Sequence, residues 1–592
     1  MKRLALSLAI CGLGAASIWA DAACPLPKHV VLVGLDGLSG KCMREQRPAP
    51  FLSKMAAEGV WQFDSRSIMP SSSAANWASL FQAAGPELTG YLTWNAEKPA
   101  MPPPVVGSNG RFPDVVSELR AQRPKSRIGY FYEWKGMAYV LDTNSCDVVR
   151  FAAMTNGLCA AAADWFRAEL PALTILAIDH PDAEGHSSGW GSEAYVGMVR
   201  RLDDEVRRLY EAVKAAGALD ETVFIVTSDH GGIRKGHGGK TMDEMERPLL
   251  IWGKGVKRGQ ELKSATGIYD VGATMAWLLG LRRPQAWTGR PLVEAFEGNE
   301  ARDDNAKPSR GKARAKHVVF CGFDGLSGAC FRRGVAAPTF RRLMSEGAWT
   351  LKSRAVLPSS SCCNWATIFL CAGPEFHGCD AVSNPLPAFR PVETLKDTMR
   401  FPDVFHQFRR AYGGDGRLGF FYEWGGVFRV VEPISADVVV HGSNLRDVAD
   451  SAADFFLRWR PQLMSVVFNE PDGAGHSKGW ESPEYDMCVE KLDARFKRVY
   501  AAVEKSGALP DTVFILSSDH GGIARKHGGN TLEEVERPLV IWGRGVKKNF
   551  EITEVTASYD VGATIAWILG VEPAQAWRGR PVTSAFVQEG ER

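Results

Sequence analysis

The chain contains the same unit twice, with the two copies about 290 residues apart. An Asp-Gly-Leu-Ser-Gly block begins at Asp36 and returns at Asp324, and an Asp-His-Gly-Gly-Ile block begins at Asp229 and returns at Asp519. Solenoid repeats are much shorter, roughly 20–50 residues, so a repeat of this length indicates a duplicated domain. Whatever fold the first copy adopts, the second copy is therefore expected to adopt as well.

A charged segment separates the two copies. It runs from Gly298 to Lys316, is poor in apolar residues and contains Pro308 and Gly311, which is typical of an exposed linker. The full length of 592 residues is also too great for one hydrophobic core. We predict one domain over residues 23–298, a linker over 299–315 and a second domain over 316–592.

Short apolar segments alternate with longer amphipathic segments inside the first copy. This alternation predicts an α/β fold class, with a mostly parallel β-sheet and helices on both faces in each domain. The predicted strands are Val30–Leu35, Arg127–Phe131, Leu173–Ile178 and Thr222–Thr227, and the predicted helices are Ala49–Gly59, Cys159–Ala168 and Glu193–Ala216.

The N-terminus has the pattern of a signal peptide. Basic residues at positions 2 and 3 precede an apolar run from Leu4 to Trp19, and a small-x-small cleavage site ends at Ala22. We predict a signal peptide over residues 1–22, with cleavage near Ala22. The protein is then expected to be exported, either to a periplasm or out of the cell.

Composition excludes some functions and leaves others open. The apolar share of 45% and the charged share of 23% are ordinary for a globular protein. A net charge of +2 indicates no nucleic-acid-binding surface, and no segment after the N-terminus is long and apolar enough to predict a transmembrane helix. Composition alone therefore gives no argument for a nucleic-acid or membrane partner, and it leaves a small-molecule substrate and the oligomeric state open.

The cysteines and two of the histidines suggest no chemistry. None of the twelve cysteines stands in a Cys-x-x-Cys pattern, although Cys146 and Cys159 flank a short segment and could close a loop. His29 and His317 precede the first strand of each copy, and we expect both to be solvated.

Polar residues follow the predicted strands at the carboxyl end, where open α/β sheets carry their sites. Asp and His ligands without thiolates favour zinc over manganese or iron, and seven donors are too many for one tetrahedral ion but suit two. The first copy supplies Asp36, Ser73, Asp182, His186, Asp229, His230 and His237, and the second supplies Asp324, Ser361, Asp472, His476, Asp519, His520 and His527.

These motifs, in this order, resemble the type I phosphodiesterase/nucleotide pyrophosphatase family of the alkaline phosphatase superfamily, and the resemblance covers nearly all of both copies. The family's strand-terminal Asp-Gly matches Asp36 and Asp324. Its Pro-x-x-(Thr/Ser)-x-x-Asn segment matches Ser73 with Asn76 and Ser361 with Asn364. Its Pro-Asp-x-x-Gly-His and Asp-His-Gly motifs match Asp182/His186, Asp472/His476, Asp229/His230 and Asp519/His520.

The resemblance implies two alkaline-phosphatase-like domains, each holding two zinc ions, although other divalent metals are not excluded. One ion would take Asp36, Asp229, His230 and the Ser73 oxygen, and the other Asp182, His186 and His237; the second copy would repeat this with Asp324, Asp519, His520, Ser361, Asp472, His476 and His527. Ser73 and Ser361 would then be nucleophiles that form a phosphoserine during phosphodiester or pyrophosphate hydrolysis.

Substrate contacts are predicted at two further pairs of residues. By analogy with the superfamily, Asn76 and Asn364 would donate to a phosphoryl oxygen, which suits a singly charged diester. Trp134 and Trp424 follow a predicted strand in a repeated Tyr-Glu-Trp motif. They could either stack on a leaving group or pack in the core behind the sheet.

Alternative functions stay open. His237 follows His230 by seven residues, a spacing more similar to the glycolipid phosphoethanolamine transferases of the superfamily, so head-group hydrolysis or transfer is an alternative, as is phosphomonoester hydrolysis. A sulfatase is disfavoured because Ser73 lacks the x-Pro-x-Arg that should follow it. A phosphoglycerate mutase is disfavoured because those relatives are normally cytosolic. A non-catalytic metal-binding scaffold is disfavoured because neither copy has lost a ligand or the nucleophile.

Overall fold

The computed structural model describes residues 25–107, 109–302, 304–380, 387–431, 433–442 and 445–588. The predicted signal peptide lies outside these residues. Two eight-stranded sheets are present, one in each copy of the repeat, and we refer to the copies as half 1 and half 2. The predicted domain boundaries and linker stay predictions.

Both sheets have the same strand order and directions. In half 1 the order is β4-β3-β5-β1-β6-β7-β2-β8, and only β7 runs against its neighbours. The strands of half 1 are β1 His29–Leu35, β2 Val60–Arg66, β3 Ile128–Tyr132, β4 Val148–Phe151, β5 Leu173–Ile178, β6 Thr222–Thr227, β7 Glu246–Gly253 and β8 Gln260–Glu261. Those of half 2 are β9 His317–Phe323, β10 Ala348–Arg354, β11 Leu418–Tyr422, β12 Val438–His441, β13 Leu463–Phe468, β14 Thr512–Ser518, β15 Glu536–Gly543 and β16 Phe550–Glu551.

Helices cover both faces of each sheet, and short 3-10 turns connect some elements. In half 1 they are α1 Gly40–Glu45, α2 Pro50–Glu58, α3 Ser73–Gln82, α4 Pro86–Thr89, α5 Val115–Gln122, α6 Leu158–Glu169, α7 Asp182–Ser188, α8 Glu193–Ala215, α9 Met242–Met245 and α10 Ile268–Leu278. In half 2 they are α11 Gly328–Arg333, α12 Pro338–Glu346, α13 Ser361–Leu370, α14 Pro374–His377, α15 Val404–Tyr412, α16 Gly425–Val430, α17 Leu445–Trp459, α18 Asp472–Lys478, α19 Pro483–Lys505, α20 Leu532–Val535 and α21 Ser558–Ile568.

The predicted α/β fold class is confirmed in both halves. Every strand and helix that the sequence predicted in half 1 is present, with ends that differ by at most one residue. The central strands lie inside the sheet with helices on either side, so all seven residues of β1 are buried. Its side chains alternate between two cores, with Val30 and Leu32 on one face and Val31 and Val33 on the other.

Two smaller expectations are wrong. His29 and His317 are not solvated but lie buried in the first strand of each half, where Nδ1 is 2.7 Å from Pro171 O and 2.8 Å from Pro461 O respectively. Cys146 and Cys159 close no loop, since both are free thiols.

Among the residues that the structure describes, no helix combines the length and apolar character needed to cross a bilayer.

One hydrophobic core is shared by the two halves. It contains Val30 and Leu32 of β1 as well as Val318 and Phe320 of β9, all with no exposed surface. The outer face of each sheet has its own separate core. The halves are therefore joined by continuous apolar packing, and only their outward layers are independent.

Candidate metal and phosphoryl-transfer site

The first group of site residues in half 1, called the inner group, lies at the carboxyl ends of two paired strands. Asp36 directly follows β1, and Asp229 and His230 follow β6. His230 Nε2 lies 3.5 Å from Asp36 Oδ1 and 3.3 Å from Asp229 Oδ2. Ser73 Oγ lies 3.0 Å from the same nitrogen. All four side chains are buried, so the sheet topology brings them together away from bulk water.

The second group, called the outer group, lies closer to the surface. Asp182 is the first residue of α7 and His186 lies one turn later, with 3.3 Å between Asp182 Oδ2 and His186 Nε2. His237, in the glycine-rich loop after β6, places Nε2 3.6 Å from Asp182 Oδ1. Its ring stacks on that of His230 with 3.7 Å between the centroids. Since the His186 side chain is 46% exposed, a substrate can approach from this side.

Half 2 repeats both groups. Ser361 Oγ lies 3.0 Å from His520 Nε2, which is 3.3 Å from Asp519 and 3.6 Å from Asp324. In the outer group of half 2, Asp472 lies 3.5 Å from His476 and 3.6 Å from His527. In all four groups, the ligand atoms of the Asp and His residues lie within 4.8 Å of one another. The structure thus brings together every predicted ligand, and the metal-binding role itself stays a prediction.

Main-chain carbonyls fix the orientation of each histidine ring. In half 1, Nδ1 of His230, His237 and His186 lies 2.7, 2.9 and 3.0 Å from the carbonyl oxygens of Gly231, Ser71 and Lys235. These hydrogen bonds assign the proton to Nδ1 and leave the Nε2 lone pair directed into the group, as is usual for metal-ligating histidines. His520, His527 and His476 have the same contacts in half 2.

The charge state of both groups fits a divalent cation. Asp36 Oδ1, Asp182 Oδ1 and Asp229 Oδ2 are buried and have no hydrogen-bond partner among the residues that the structure describes. Burial, together with the neighbouring carboxylates of Asp229 and Asp179, raises the pKa of Asp182 to about 8. Burial lowers the pKa of both His230 and His237 to about 4. Both imidazoles are therefore neutral near pH 7, and each Nε2 keeps a lone pair that a metal ion can bind. Crowded carboxylates with neutral imidazoles form a site that a divalent cation would stabilise.

The predicted nucleophile is the first residue of a buried helix. Ser73 begins α3, so its Oγ lies beside the helix N-terminus, where free N–H groups favour anions. Asn76 is fully buried in the same helix. Its Oδ1 accepts from Ile68 N at 2.8 Å, and its Nδ2 donates to Ser72 O at 3.0 Å. The amide therefore holds the serine loop in place, as Asn364 does in half 2, and substrate contact by Asn76 or Asn364 stays a prediction.

The two aromatic candidates lie at the side of the shared core. Trp134 is buried and stacks on Trp94, with 5.7 Å between ring centroids and planes 10° apart. Trp94 is 65% exposed, so a ligand would meet this ring first. Trp424 is half-buried against the same core. Core packing accounts for both Trp134 and Trp424, and their role in substrate binding stays a prediction.

Sequence reasoning missed several residues that support the ligands. Trp77 is buried in the core, and its Nε1 donates to Asp36 Oδ2 at 2.8 Å. Glu133, in the repeated Tyr-Glu-Trp motif, accepts from Asp179 N at 3.0 Å and so fixes the turn that leads to Asp182. Half 2 repeats both contacts: Trp365 donates to Asp324, and Glu423 accepts from Asn469 N. The recurrence of Trp and Glu at equivalent positions is the sequence signal that could have identified them.

Removing the indole donor to Asp36 is expected to weaken metal binding. Trp77→Phe in half 1 keeps most of the packing volume but leaves Asp36 free to rotate. Loss of a hydrogen bond that holds a metal ligand in place typically costs about 10–100-fold in metal affinity. Calorimetric zinc titration should show that one of the proposed sites, the inner group of half 1, weakens. Trp287→Phe removes an indole hydrogen bond to Pro113 O in the core and is the matched control. Equal effects of the two substitutions would contradict this role of Trp77.

Comparisons with individual known proteins give partial matches. Two curated relatives match parts of the chain. A 2,3-bisphosphoglycerate-independent phosphoglycerate mutase from Haloarcula marismortui is 28% identical, and the match covers 23% of this chain and 26% of the relative. GPI ethanolamine phosphate transferase 1 from Chaetomium globosum is 36% identical, and the match covers 13% of this chain and 9% of the relative. The chain thus spans about a quarter or less of these relatives. Among solved structures, murine ectonucleotide pyrophosphatase/phosphodiesterase 5 covers 46% of this chain and 97% of its own, with 15% identity and a TM-score of 0.37.

The family comparison covers most of the chain. The model of the type I phosphodiesterase/nucleotide pyrophosphatase family matches residues 30–247, 318–381 and 391–540. These ranges include every predicted ligand and both serines, and they fall in both halves. The chain therefore belongs to the type I phosphodiesterase/nucleotide pyrophosphatase family.

Proposed function

We propose that this protein is an exported, metal-dependent hydrolase that cleaves phosphodiester or pyrophosphate bonds in both halves, with zinc at the inner and outer groups. The observation that carries this proposal is the position of Ser73. It stands at a helix N-terminus with Oγ 3.0 Å from His230 Nε2, beside a buried set of Asp and His donors. Ser361 has the same position relative to His520.

The residues of half 1 suit a two-step displacement at phosphorus. The Ser73 hydroxyl gives up its proton to water, and Oγ forms a bond to phosphorus while the bond to the leaving oxygen breaks on the opposite side. The phosphoryl group, still esterified to the rest of the substrate, is then attached to the serine. The N-terminus of α3 favours the negative charge of the phosphoryl oxygens. Water then attacks phosphorus, releases the phosphate monoester and restores the Ser73 hydroxyl.

The inner and outer groups would hold the cations that this chemistry needs. Divalent cations bound there would lower the pKa of the serine hydroxyl and offset the charge on the phosphoryl oxygens. Asp36, Asp229 and His230 would hold one near Ser73, and Asp182, His186 and His237 the other. Trp77 and the carbonyls behind each histidine keep these side chains in place before substrate arrives.

A second candidate activity is cleavage or transfer of a phosphorylated head group, such as phosphoethanolamine. It is favoured by the short glycine-rich connection between His230 and His237, which places both rings in one stack. The match to an ethanolamine phosphate transferase over 80 residues points the same way. Both candidates use the same serine and ligands, and they differ only in the group attached to the phosphate.

The test is hydrolysis of bis-p-nitrophenyl phosphate against p-nitrophenyl phosphate by the purified mature chain. We expect faster cleavage of the diester, loss of activity with a chelator and recovery when zinc is added. Preference for the monoester would instead indicate a phosphatase. Zinc binding without turnover of either compound, or of phosphoethanolamine-bearing lipid, would indicate a binding scaffold.

A further inference from the structure

Two extended segments, one from each half, cross the seam and contact the other half. Arm 1, residues 91–107, follows α4 in half 1, and arm 2, of which residues 387–400 are described here, follows α14 in half 2. The repeat relates the arms, since Met101 and Pro102 occupy the places of Phe389 and Arg390. The arms therefore form a reciprocal exchange, in which corresponding positions do the same work in opposite halves.

Arm 2 lies against the nucleophile loop of half 1. Arg66, at the end of β2 and almost wholly buried, donates from Nη2 to the main-chain oxygen of Arg390 at 2.8 Å. The Arg390 guanidinium lies 2.7 Å from Glu246, the first residue of β7. Phe389 is buried against Met69 and Met245 of half 1. Arm 2 thus contacts the end of β2, from which the Ser73 loop departs, and the start of β7, where the connection that carries His237 ends.

Arm 1 makes the corresponding contacts with half 2. Arg354, the counterpart of Arg66, donates from Nη2 to the main-chain oxygen of Pro102 at 3.1 Å. Met101, in the place of Phe389, is buried against Leu357 and Val535 of half 2. Leu357 and Val535 are themselves the counterparts of Met69 and Met245. The same two features, a buried arginine and an apolar contact, therefore receive an arm in each half.

The arms contact a segment that leads directly to the nucleophile. Six residues lie between Arg66 and Ser73. Between them, Ser67 Oγ donates to the carbonyl of the ligand Asp229 at 2.7 Å, and Ile68 N donates to Asn76 at 2.8 Å. In half 2, Val356 N donates to Asn364 in the same way. A shift of the arm would therefore be passed to the serine within a few residues.

The seam that carries the arms is anchored by buried polar contacts. Tyr269 of half 1 donates to Glu375 at 2.6 Å, and Tyr559 of half 2 donates to Glu87 at 3.0 Å. Glu87 and Glu375 lie in α4 and α14, the short helices that precede the arms. All four side chains are buried, so pulling the halves apart would leave these groups unpaired at considerable cost.

A further ion pair, between Lys240 of half 1 and Asp380 of half 2, connects the two catalytic loops. Lys240 of half 1 follows Gly239, whose carbonyl accepts from Ser71 Oγ at 2.7 Å. Lys240 Nζ lies 2.6 Å from the Asp380 carboxylate of half 2. The main-chain oxygen of Asp380 accepts from Oγ of Ser360, the neighbour of Ser361, at 3.3 Å. The loops that carry the two serines are thus joined through side chains across the seam.

We propose that each half positions the nucleophile of the other, with Phe389 and Arg390 of arm 2 acting on Ser73 and Met101 and Pro102 of arm 1 acting on Ser361. The duplication is then a fused dimer whose two sites are complete only together. This inference rests on the proposed function for its activity readout but not for its structural readout.

The test uses the full chain with one nucleophile removed at a time. Ser361→Ala leaves half 1 as the active half, and Ser73→Ala leaves half 2. Phe389→Ala is expected to lower kcat at least about tenfold in the Ser361→Ala chain, because small displacements of a reacting atom are costly, and to change it less than twofold in the Ser73→Ala chain. Met101→Ala, its matched counterpart, is expected to show the reverse pattern.

Hydrogen exchange gives a second readout that needs no activity. Phe389→Ala should speed exchange of residues 66–76 but not of 354–364, and Met101→Ala should do the opposite. Phe389→Leu, which keeps most of the apolar contact, should restore protection if folding of the alanine variant is impaired. If neither parent chain is active, the proposed function fails and exchange alone decides the arms. Effects confined to an arm's own half, equal in both halves or absent would overturn the inference.

Discussion

Replacing both Ser73 and Ser361 by alanine is expected to lower the diesterase kcat roughly 10³-fold or more, about 4 kcal/mol of transition-state stabilisation. Each serine is the only group in its half that combines a nucleophilic oxygen, a helix N-terminus and contact with the inner-group histidine, among the residues that the structure describes. Each single variant should keep the activity of the intact half. Steady-state kinetics with bis-p-nitrophenyl phosphate measures all three.

The control is a serine at the same loop with a different task. Ser71 Oγ donates to Gly239 O and accepts from Gly238 N, so it supports the glycine-rich loop and does not face His230. Ser71→Ala in the Ser361→Ala chain should therefore reduce activity far less than Ser73→Ala does. Full activity in the double serine variant would show that neither residue is the nucleophile.

The second large effect is expected from loss of an inner-group carboxylate. Asp229→Ala in the Ser361→Ala chain should lower kcat at least about 100-fold and remove bound metal from half 1, since contacts one step further out already cost about 10–100-fold. Asp229 is fully buried, with Oδ1 accepting from Gly37 N at 3.1 Å and Oδ2 left for a cation. Turnover and metal content by mass spectrometry give the two readouts.

An exposed carboxylate gives the matched control for that substitution. Asp204 lies on α8 with its side chain 66% exposed and pairs only with Arg207 on the same helix among the contacts described. Surface pairs of this kind contribute about 0–1 kcal/mol to stability. Asp204→Ala should therefore leave both readouts unchanged. Retained metal and activity in the Asp229→Ala chain would contradict the assignment of the inner group.

Much of the fold and the clustering of the candidate ligands could be predicted from the sequence because both depend on strong local patterns. Strands of the buried sheet are continuous apolar runs, and β5 and β6 have the predicted ends. Parallel neighbouring strands end at one edge of a sheet, so residues that follow β1, β5 and β6 meet there although they are far apart in sequence. The repeat added a second, independent reading of each motif.

The supporting contacts were less accessible because residue type does not reveal them. Trp77 packs as a core side chain and also holds Asp36, and a sequence shows only the first role. Asn76 has the residue type of a substrate ligand, and its amide also makes hydrogen bonds within its own loop that the sequence does not reveal. Residue identity predicts what a side chain can do, whereas its neighbours decide which of those roles it performs.

The exchange of arms could not be predicted at all. The polar contacts common to both arms are made by the main-chain oxygens of Arg390 and Pro102, which every residue type offers. Tyr269 and Tyr559 do recur in the repeat, as do Glu87 and Glu375. A recurring buried pair, however, serves a domain core and a seam between domains equally well, and only the three-dimensional arrangement distinguishes them.

The most direct test of the central claim is to trap the phosphorylated enzyme. The chain would be mixed with bis-p-nitrophenyl phosphate, quenched in acid during turnover and digested, and peptides carrying a p-nitrophenyl phosphoryl group would be located by mass spectrometry. We expect this adduct on both Ser73 and Ser361, and on only the remaining serine in each single alanine variant. Continued turnover without the adduct on either serine, or with the adduct on another residue, would contradict a serine-linked intermediate in two competent halves.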